Sequence, residues 1–248
     1  MLKEYLSNLA NAFRTVLGTT EKINAQDFSS KVNEVYEKGK AEGGDNNAFW
    51  DTYLDNGNLK VCDYLFAGKG WNNTTFKPKY SIAPTRCTGM FNFTAIQGNL
   101  AEMLANLGIT IDFSNCTLFG SMFTNVFGIT ETPPIDLSKA TTTSSMFVNA
   151  EIKIIGTLTC SESTVLATNM FDNLTLLENI TFAGVIPSSI AFAKSSKLTY
   201  NSIMSIVNAL KDYSGTTTKP TLTLHATAKA RLSDAEKATI TAKGWTLA

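Results

Sequence analysis

Ser121-Met122-Phe123-Thr124-Asn125 returns as Ser145-Met146-Phe147-Val148-Asn149, and these two stretches decide how the rest of the chain reads. Each has a small polar residue, then Met-Phe, then an asparagine two residues beyond the ring. Working outward, the pair recurs as Met90-Phe91 and Met170-Phe171, with Leu65-Phe66 as a fifth copy upstream. The aromatic positions 66, 91, 123, 147 and 171 are separated by 25, 32, 24 and 24 residues. Self-similarity at such a period marks stacked supersecondary units. The chain is therefore expected to form a solenoid whose Phe side chains pile into one column.

Short β-prone runs accompany the rings: Ile135-Asp136-Leu137, Ile154-Ile155-Gly156-Thr157-Leu158 and Ile180-Thr181-Phe182. Alternation over so few positions reads as a strand with one face buried. A single unit cannot bury its own Phe and Ile, so each must lean on a neighbour about 5 Å away along a parallel ladder. The 32-residue step holds an insertion, Asn99 to Leu107, with Leu100, Met103, Leu104 and Leu107 at helical spacing. Gly108 is its stop, and Ile109-Thr110-Ile111-Asp112-Phe113 resumes the strand.

The ends read differently. Leu2, Tyr5, Leu6, Leu9, Phe13, Val16 and Leu17 follow the 3.6-residue period up to Gly18, which predicts an amphipathic helix. A second helix after Asn24 would bury Phe28, Val32, Val35 and Tyr36 and stop at Gly39. Such a hairpin has too little core to stand alone. The stripe through Leu2, Tyr5, Leu6, Leu9 and Phe13 is expected to meet a second copy of the chain or another protein, in preference to folding back on the repeats. At the other end, Thr199 to Leu210 predicts a helix with Ile203, Ile206, Val207 and Leu210 on one side. A turn at Ser214-Gly215, a strand at Thr221 to Leu224, a capping box at Ser233-Asp234-Ala235-Glu236 and a closing Trp245 complete a cap. The expected organisation is a hairpin over 1–40, a linker over 41–47, repeats over 48–198 and the cap over 199–248.

Lys+Arg and Asp+Glu balance at 21 each, so no positive field draws the chain to nucleic acid. No apolar run suits a membrane span or a secretory signal. Cys62 and Cys87 each stand four residues before a repeat Phe, on neighbouring layers of one column. A disulfide or shared metal is open to them, but buried reduced thiols are the expectation. The lone histidine, His225, falls in an alternating run and reads as a strand residue. No HExxH or G-x-S-x-G pattern is present, Gly68-Lys69-Gly70 reads as a turn, and Asp45, Asp51, Asp55 and Asp63 match no EF-hand loop. Catalysis, cofactor and metal are accordingly not expected, and no single ligand-binding residue stands out. Trp50, Trp71 and Trp245 read as packing rather than sugar platforms. The N-x-T sequences at Asn72, Asn92, Asn115, Asn173 and Asn179 read as turn asparagines beside strand threonines. The natural recognition surface is the row of polar side chains that recurs once per layer.

With Ser145-Met146-Phe147-Val148-Asn149-Ala150 as its clearest copy, the repeat resembles the BspA-like leucine-rich repeats of bacterial surface proteins, in the subgroup with a recurring Met-Phe. The flanks are Gly18-Thr19-Thr20-Glu21-Lys22-Ile23-Asn24-Ala25-Gln26-Asp27-Phe28, Phe66-Ala67-Gly68-Lys69-Gly70-Trp71-Asn72 with Thr75-Phe76-Lys77-Pro78-Lys79-Tyr80, Leu210-Lys211-Asp212-Tyr213-Ser214-Gly215 and Ala242-Lys243-Gly244-Trp245-Thr246-Leu247. They are similar to tail or baseplate-associated proteins of phages and prophages from Gram-positive gut bacteria. The resemblance implies an α/β, leucine-rich-repeat-like solenoid with short parallel strands, an N-terminal helical hairpin and a C-terminal αβαβ cap. It implies a noncatalytic virion protein of the tail, made in the bacterial cytoplasm without a signal peptide. Such a protein would present a repeat surface to a host-surface protein or glycan, or to other tail proteins. A homo-oligomer, with a trimer favoured, would suit a tail tip. The alternative is a host-encoded leucine-rich repeat protein for protein-protein interaction or adhesion.

Overall fold

The computed structural model describes residues 10–11, 13–15, 17–20, 22–23, 60–67, 80–94, 97–106 and 108–248. The fold is α/β with short parallel strands. β1 (Tyr80–Ile82) pairs with β3 (Ile109–Ile111), Tyr80 beside Ile109. β2 (Gly98–Asn99) pairs with β4 (Ile129–Glu131), and both β4 and β5 (Ile135–Asp136) pair with β6 (Ile154–Cys160). β7 (Asn179–Gly184) lies along the other edge of β6, with Ile155 beside Ile180 and Leu158 beside Phe182. A third sheet runs β8 (Ile190–Phe192), β9 (Thr221–Leu224), β10 (Thr246–Leu247). The expected runs at 135, 154 and 180 are all strands.

Pro133 and Pro134 explain why β4 and β5 are two strands and not one, because neither residue can donate to a ladder. On its other edge, against β7, β6 has a register shift between Ile155 and Thr157. The Gly156 N–H is satisfied by the Thr132 hydroxyl at 3.1 Å. A Cβ at Gly156 would sit 2.7 Å from the Pro133 carbonyl carbon, so the close approach requires glycine there.

The Phe side chains form the column that the period predicts. Ring centroids are 5.2 Å apart for Phe66–Phe91, Phe91–Phe123 and Phe123–Phe147, and 5.6 Å for Phe147–Phe171. Beside them Met90, Met122, Met146 and Met170 are buried. Each Phe N–H donates to the Met carbonyl of the next layer, Phe66 to Met90 at 2.8 Å, Phe91 to Met122 at 2.9 Å, Phe123 to Met146 at 2.7 Å and Phe147 to Met170 at 2.9 Å. Burial of each such ring contributes about 1.5–3 kcal/mol, and the ring pairs about 0.5–1.5 kcal/mol more. The column does not stop at the fifth ring. Phe192 stacks on Phe171 at 4.6 Å, without a Met before it to announce it.

The 32-residue step is built as its spacing suggests. α1 (Leu100–Asn106) buries Leu100 and Leu104, and Gly108 follows at φ +67°. The Asn99 amide oxygen accepts from the N–H groups of Ala101 and Glu102 at 2.8 and 3.1 Å, capping the helix, while its Nδ2 donates to Glu131 at 2.9 Å. The insertion leaves the stack in register: the bridges Val61–Arg86, Arg86–Leu118 and Leu118–Thr142 are all parallel.

At the C-terminal end, α2 (Tyr200–Ala209), N-capped by Thr199, buries Ile203, Ile206 and Val207 and lies against β7. Lys243 closes the far end of that helix, its Nζ donating to the carbonyls of Val207, Asn208 and Leu210 at 2.9, 3.1 and 3.1 Å. α4 (Asp234–Ala242) starts at the expected capping box of Ser233 and Glu236. Trp245 is buried and donates through Nε1 to the Lys211 carbonyl at 2.8 Å, so it is packing. Parallel pairing of β8 with β9 carries the ladder across the expected boundary at 198/199.

Two expectations need correction. His225 does not extend β9; it caps the short helix α3 (Ala226–Lys229), its Nδ1 accepting from the Thr227 N–H at 3.1 Å. Cys62 and Cys87 do share a column, since Cys62 N–H donates to the Arg86 carbonyl and Cys87 N–H to that of Leu118. Cys87, however, is bridged to Cys116, with Cα atoms 7.0 Å apart. The turn from Phe113 to Cys116, closed by a 2.9 Å hydrogen bond, brings that second sulfur into the core, where sequence distance along the column could not place it. Burial pushes the Cys160 thiol up to about 12, and burial followed by the neighbouring Asp63 does the same to Cys62.

Near the N-terminus, the described residues between 10 and 17 are helical, and Phe13 is only 1% exposed within a single chain. Phe13 is thus covered by its own chain. Leu2, Tyr5, Leu6 and Leu9, the second helix, the 41–47 linker, Trp50 and Trp71 lie outside the described residues.

Phe147→Ala, which removes a fully buried ring from between two stacked neighbours, is expected to lower unfolding free energy by about 3–5 kcal/mol in chemical denaturation. In the unreduced native protein no cysteine is expected to react with iodoacetamide, and after unfolding only Cys62 and Cys160 should be alkylated. Labelling of Cys87 or Cys116 without reductant would contradict the bridge.

Candidate functional site

The turns that carry the rings also set the outward rows. Backbone in the left-handed region recurs two residues before the ring, at Tyr64, Gly89, Ser121 and Ser145, and two residues after it, at Phe93, Asn125, Asn149 and Asn173, all with φ between +53° and +60°. This is why small polar residues and asparagine recur in the motif: asparagine and glycine tolerate that region, and most other residues do not. The periodic sequence displayed this signal, but its backbone cause emerges only from the dihedrals.

The row two residues beyond the rings is the most regular outward feature. Asn149 Nδ2 donates to Asn125 Oδ1 at 3.0 Å, and Asn173 Nδ2 donates to Asn149 Oδ1 at 2.9 Å. Each amide thereby has its plane held by its neighbour, with one N–H and part of its carbonyl left for solvent. In the preceding layer the same slot holds Phe93, at φ +53° and 59% exposed. Phe127, 46% exposed, follows close by, its N–H donating to the Thr94 carbonyl at 3.1 Å. Tyr64 is a second strained aromatic, at φ +57° and 58% exposed, its ring lying where a Cβ on Gly89 would go.

A threonine row runs beside these. The hydroxyls of Thr85, Thr117 and Thr141 donate to the carbonyls of Lys60, Thr85 and Thr117 at 3.0, 3.3 and 3.1 Å. Asp63 ties two layers, receiving Arg86 at 2.6 Å and the Thr88 N–H at 2.8 Å. Elsewhere a shallow groove of about 500 Å³ lies over β7 and α2, lined by Phe182, Asn201, Met204, Ser205 and Asn208 among others.

Of the N-x-T asparagines, Asn173 belongs to the amide row, Asn115 accepts from Lys139 at 2.8 Å, and Asn179 accepts from the Thr199 hydroxyl at 2.9 Å. Asn92 points inward, its Oδ1 buried without a partner. Asn72, Gly68-Lys69-Gly70, Asp45, Asp51 and Asp55 lie outside the described residues. Among the described residues no group of three His, Cys, Asp or Glu gathers to hold a metal ion, and no helix is long and apolar enough to cross a membrane. Compared with family models, curated proteins and solved structures, the chain shows no match.

Phe93 in the asparagine slot was visible in the aligned copies, where three rings are followed two residues later by Asn, the first by Gly68 and Phe91 by Phe93. The amide-to-amide bonds were not, because they depend on register between layers. Asn149→Ala is expected to lower stability by about 1–3 kcal/mol, through the left-handed strain and two lost hydrogen bonds. Asn149→Gly should cost less, because glycine is at ease at positive φ. Urea midpoints of the two variants measure the difference.

Proposed function

We propose that the chain is a noncatalytic, leucine-rich-repeat-like solenoid that acts as a virion-associated binding protein of a phage tail, presenting its repeat surface for host-surface recognition or tail assembly. The observation that carries this reading is the amide row of Asn125, Asn149 and Asn173, whose side chains face outward at a fixed interval on a rigid ring column. A buried scaffold that repeats an exposed row is suited to an extended contact, and convergence of reactive groups at one point is not its design. Assembly as a homo-oligomer, a trimer favoured, would use Leu2, Tyr5, Leu6 and Leu9, with Phe13 committed to its own chain.

The bridge between Cys87 and Cys116 favours a second reading, a host-encoded adhesion or interaction protein, because disulfides persist in oxidising surroundings. Neighbouring genes for tail or lysis functions would separate the two. The binding role itself is tested with the fluorescently labelled full chain on a panel of intact Gram-positive gut bacteria. Saturable binding to at least one strain is expected, and absence of binding to all of them overturns the recognition role.

A further inference from the structure

We propose that the row Phe93, Asn125, Asn149 and Asn173 is the contact line for a neutral polysaccharide, laid along the stack with about one sugar unit per layer. This inference rests on the reading of the chain as a host-surface binding module and names the class of its ligand.

Strain is the first support. Phe93 occupies a left-handed position that three other copies fill with asparagine, and left-handed backbone costs a residue with a Cβ about 1–2 kcal/mol. Burial does not offset that cost, since most of the ring faces solvent. Strained, unburied residues are characteristic of ligand contacts. Phe127, whose backbone N–H is bonded to the Thr94 carbonyl next to Phe93, is a second exposed aromatic in this region.

The chemistry of the row is the second support. Its amides are uncharged, held in plane by one another, and each offers a donor and an acceptor, which is what sugar hydroxyls pair with. An aromatic ring packs against the C–H face of a pyranose as it does against other apolar surface. Layers along a parallel ladder repeat about every 4.8 Å, close to the length of one hexose unit, so successive sugars would meet successive amides. The charged residues within two positions of the row are Glu151 and Asp172, both acidic. They repel a polyphosphate or polyuronate and leave a neutral polymer as the fitting occupant.

The test uses the labelled full chain on cells left untreated, oxidised with periodate to open sugar diols, or shaved with protease. Three variants are compared: Phe93→Asn, Asn149→Gly, and Tyr200→Ala at an exposed aromatic away from the row. Binding is expected to survive protease and be lost after periodate. Phe93→Asn and Asn149→Gly should each bind at least about tenfold more weakly, while Tyr200→Ala matches the parent. Phe93→Asn should melt no lower than the parent, because asparagine suits the position. Binding that survives periodate overturns the inference, as does full affinity in Phe93→Asn. A lower melting temperature for Phe93→Asn also overturns it, because Phe93 would then be serving the fold. These outcomes leave the recognition role standing; failure to bind untreated cells removes both.

Discussion

The rest of the structure depends on one constraint: rings that stack face to face at 5.2 Å must be delivered by backbone layers repeating at nearly the same interval. A parallel ladder supplies that interval, and the Phe-to-Met hydrogen bonds lock each ring to the layer that follows. Ring spacing and ladder spacing are therefore one quantity, satisfied by two interactions at once. A change that alters either must alter both, which is why the Met-Phe pair recurs with so little variation.

From this follows the character of the outer surface. Phe91, Phe123 and Phe147 each have left-handed residues on both sides, and at the position two residues beyond the ring the side chains of Phe93, Asn149 and Asn173 are exposed. Asparagine meets the backbone requirement and, with a copy of itself one layer away, also finds a hydrogen-bond partner. The exposed row is thus a by-product of core geometry that is available for recognition. Phe93 and Tyr64 depart from this economy of means, since both rings sit in left-handed backbone and neither is buried.

The stack tolerates irregularity where the register of the layers is left alone. The segment holding α1 lengthens one step to 32 residues, yet Arg86 still bridges Leu118 in parallel. The bridge from Cys87 to Cys116 fastens the same segment across 29 residues of chain. At the C-terminal end a separate sheet of β8, β9 and β10 takes over while the ring column carries on: Phe192 continues it, and Lys243 and Trp245 anchor the closing segment to the carbonyls after α2.

The ring positions, the strands at 135, 154 and 180, α1, α2 and the capping box at Ser233 were legible in the sequence, because each rests on local periodicity or on contacts between identical copies. Phe192 was not, since it belongs to the column by position in space and carries no Met-Phe signature. The partner of Cys87 was not either, because a turn at Phe113 to Cys116 decides which sulfur enters the core. His225 read as a strand residue until its side chain was seen to cap a helix, a choice between two local structures that alternation cannot make. The sequence by itself determined that one aromatic per unit would form a common core, for no unit could bury its own. Only tertiary structure decided the register between units, and with it the amide-to-amide row and the exposed ring at its end, because hydrogen bonds between layers depend on how far each layer is slid against the next.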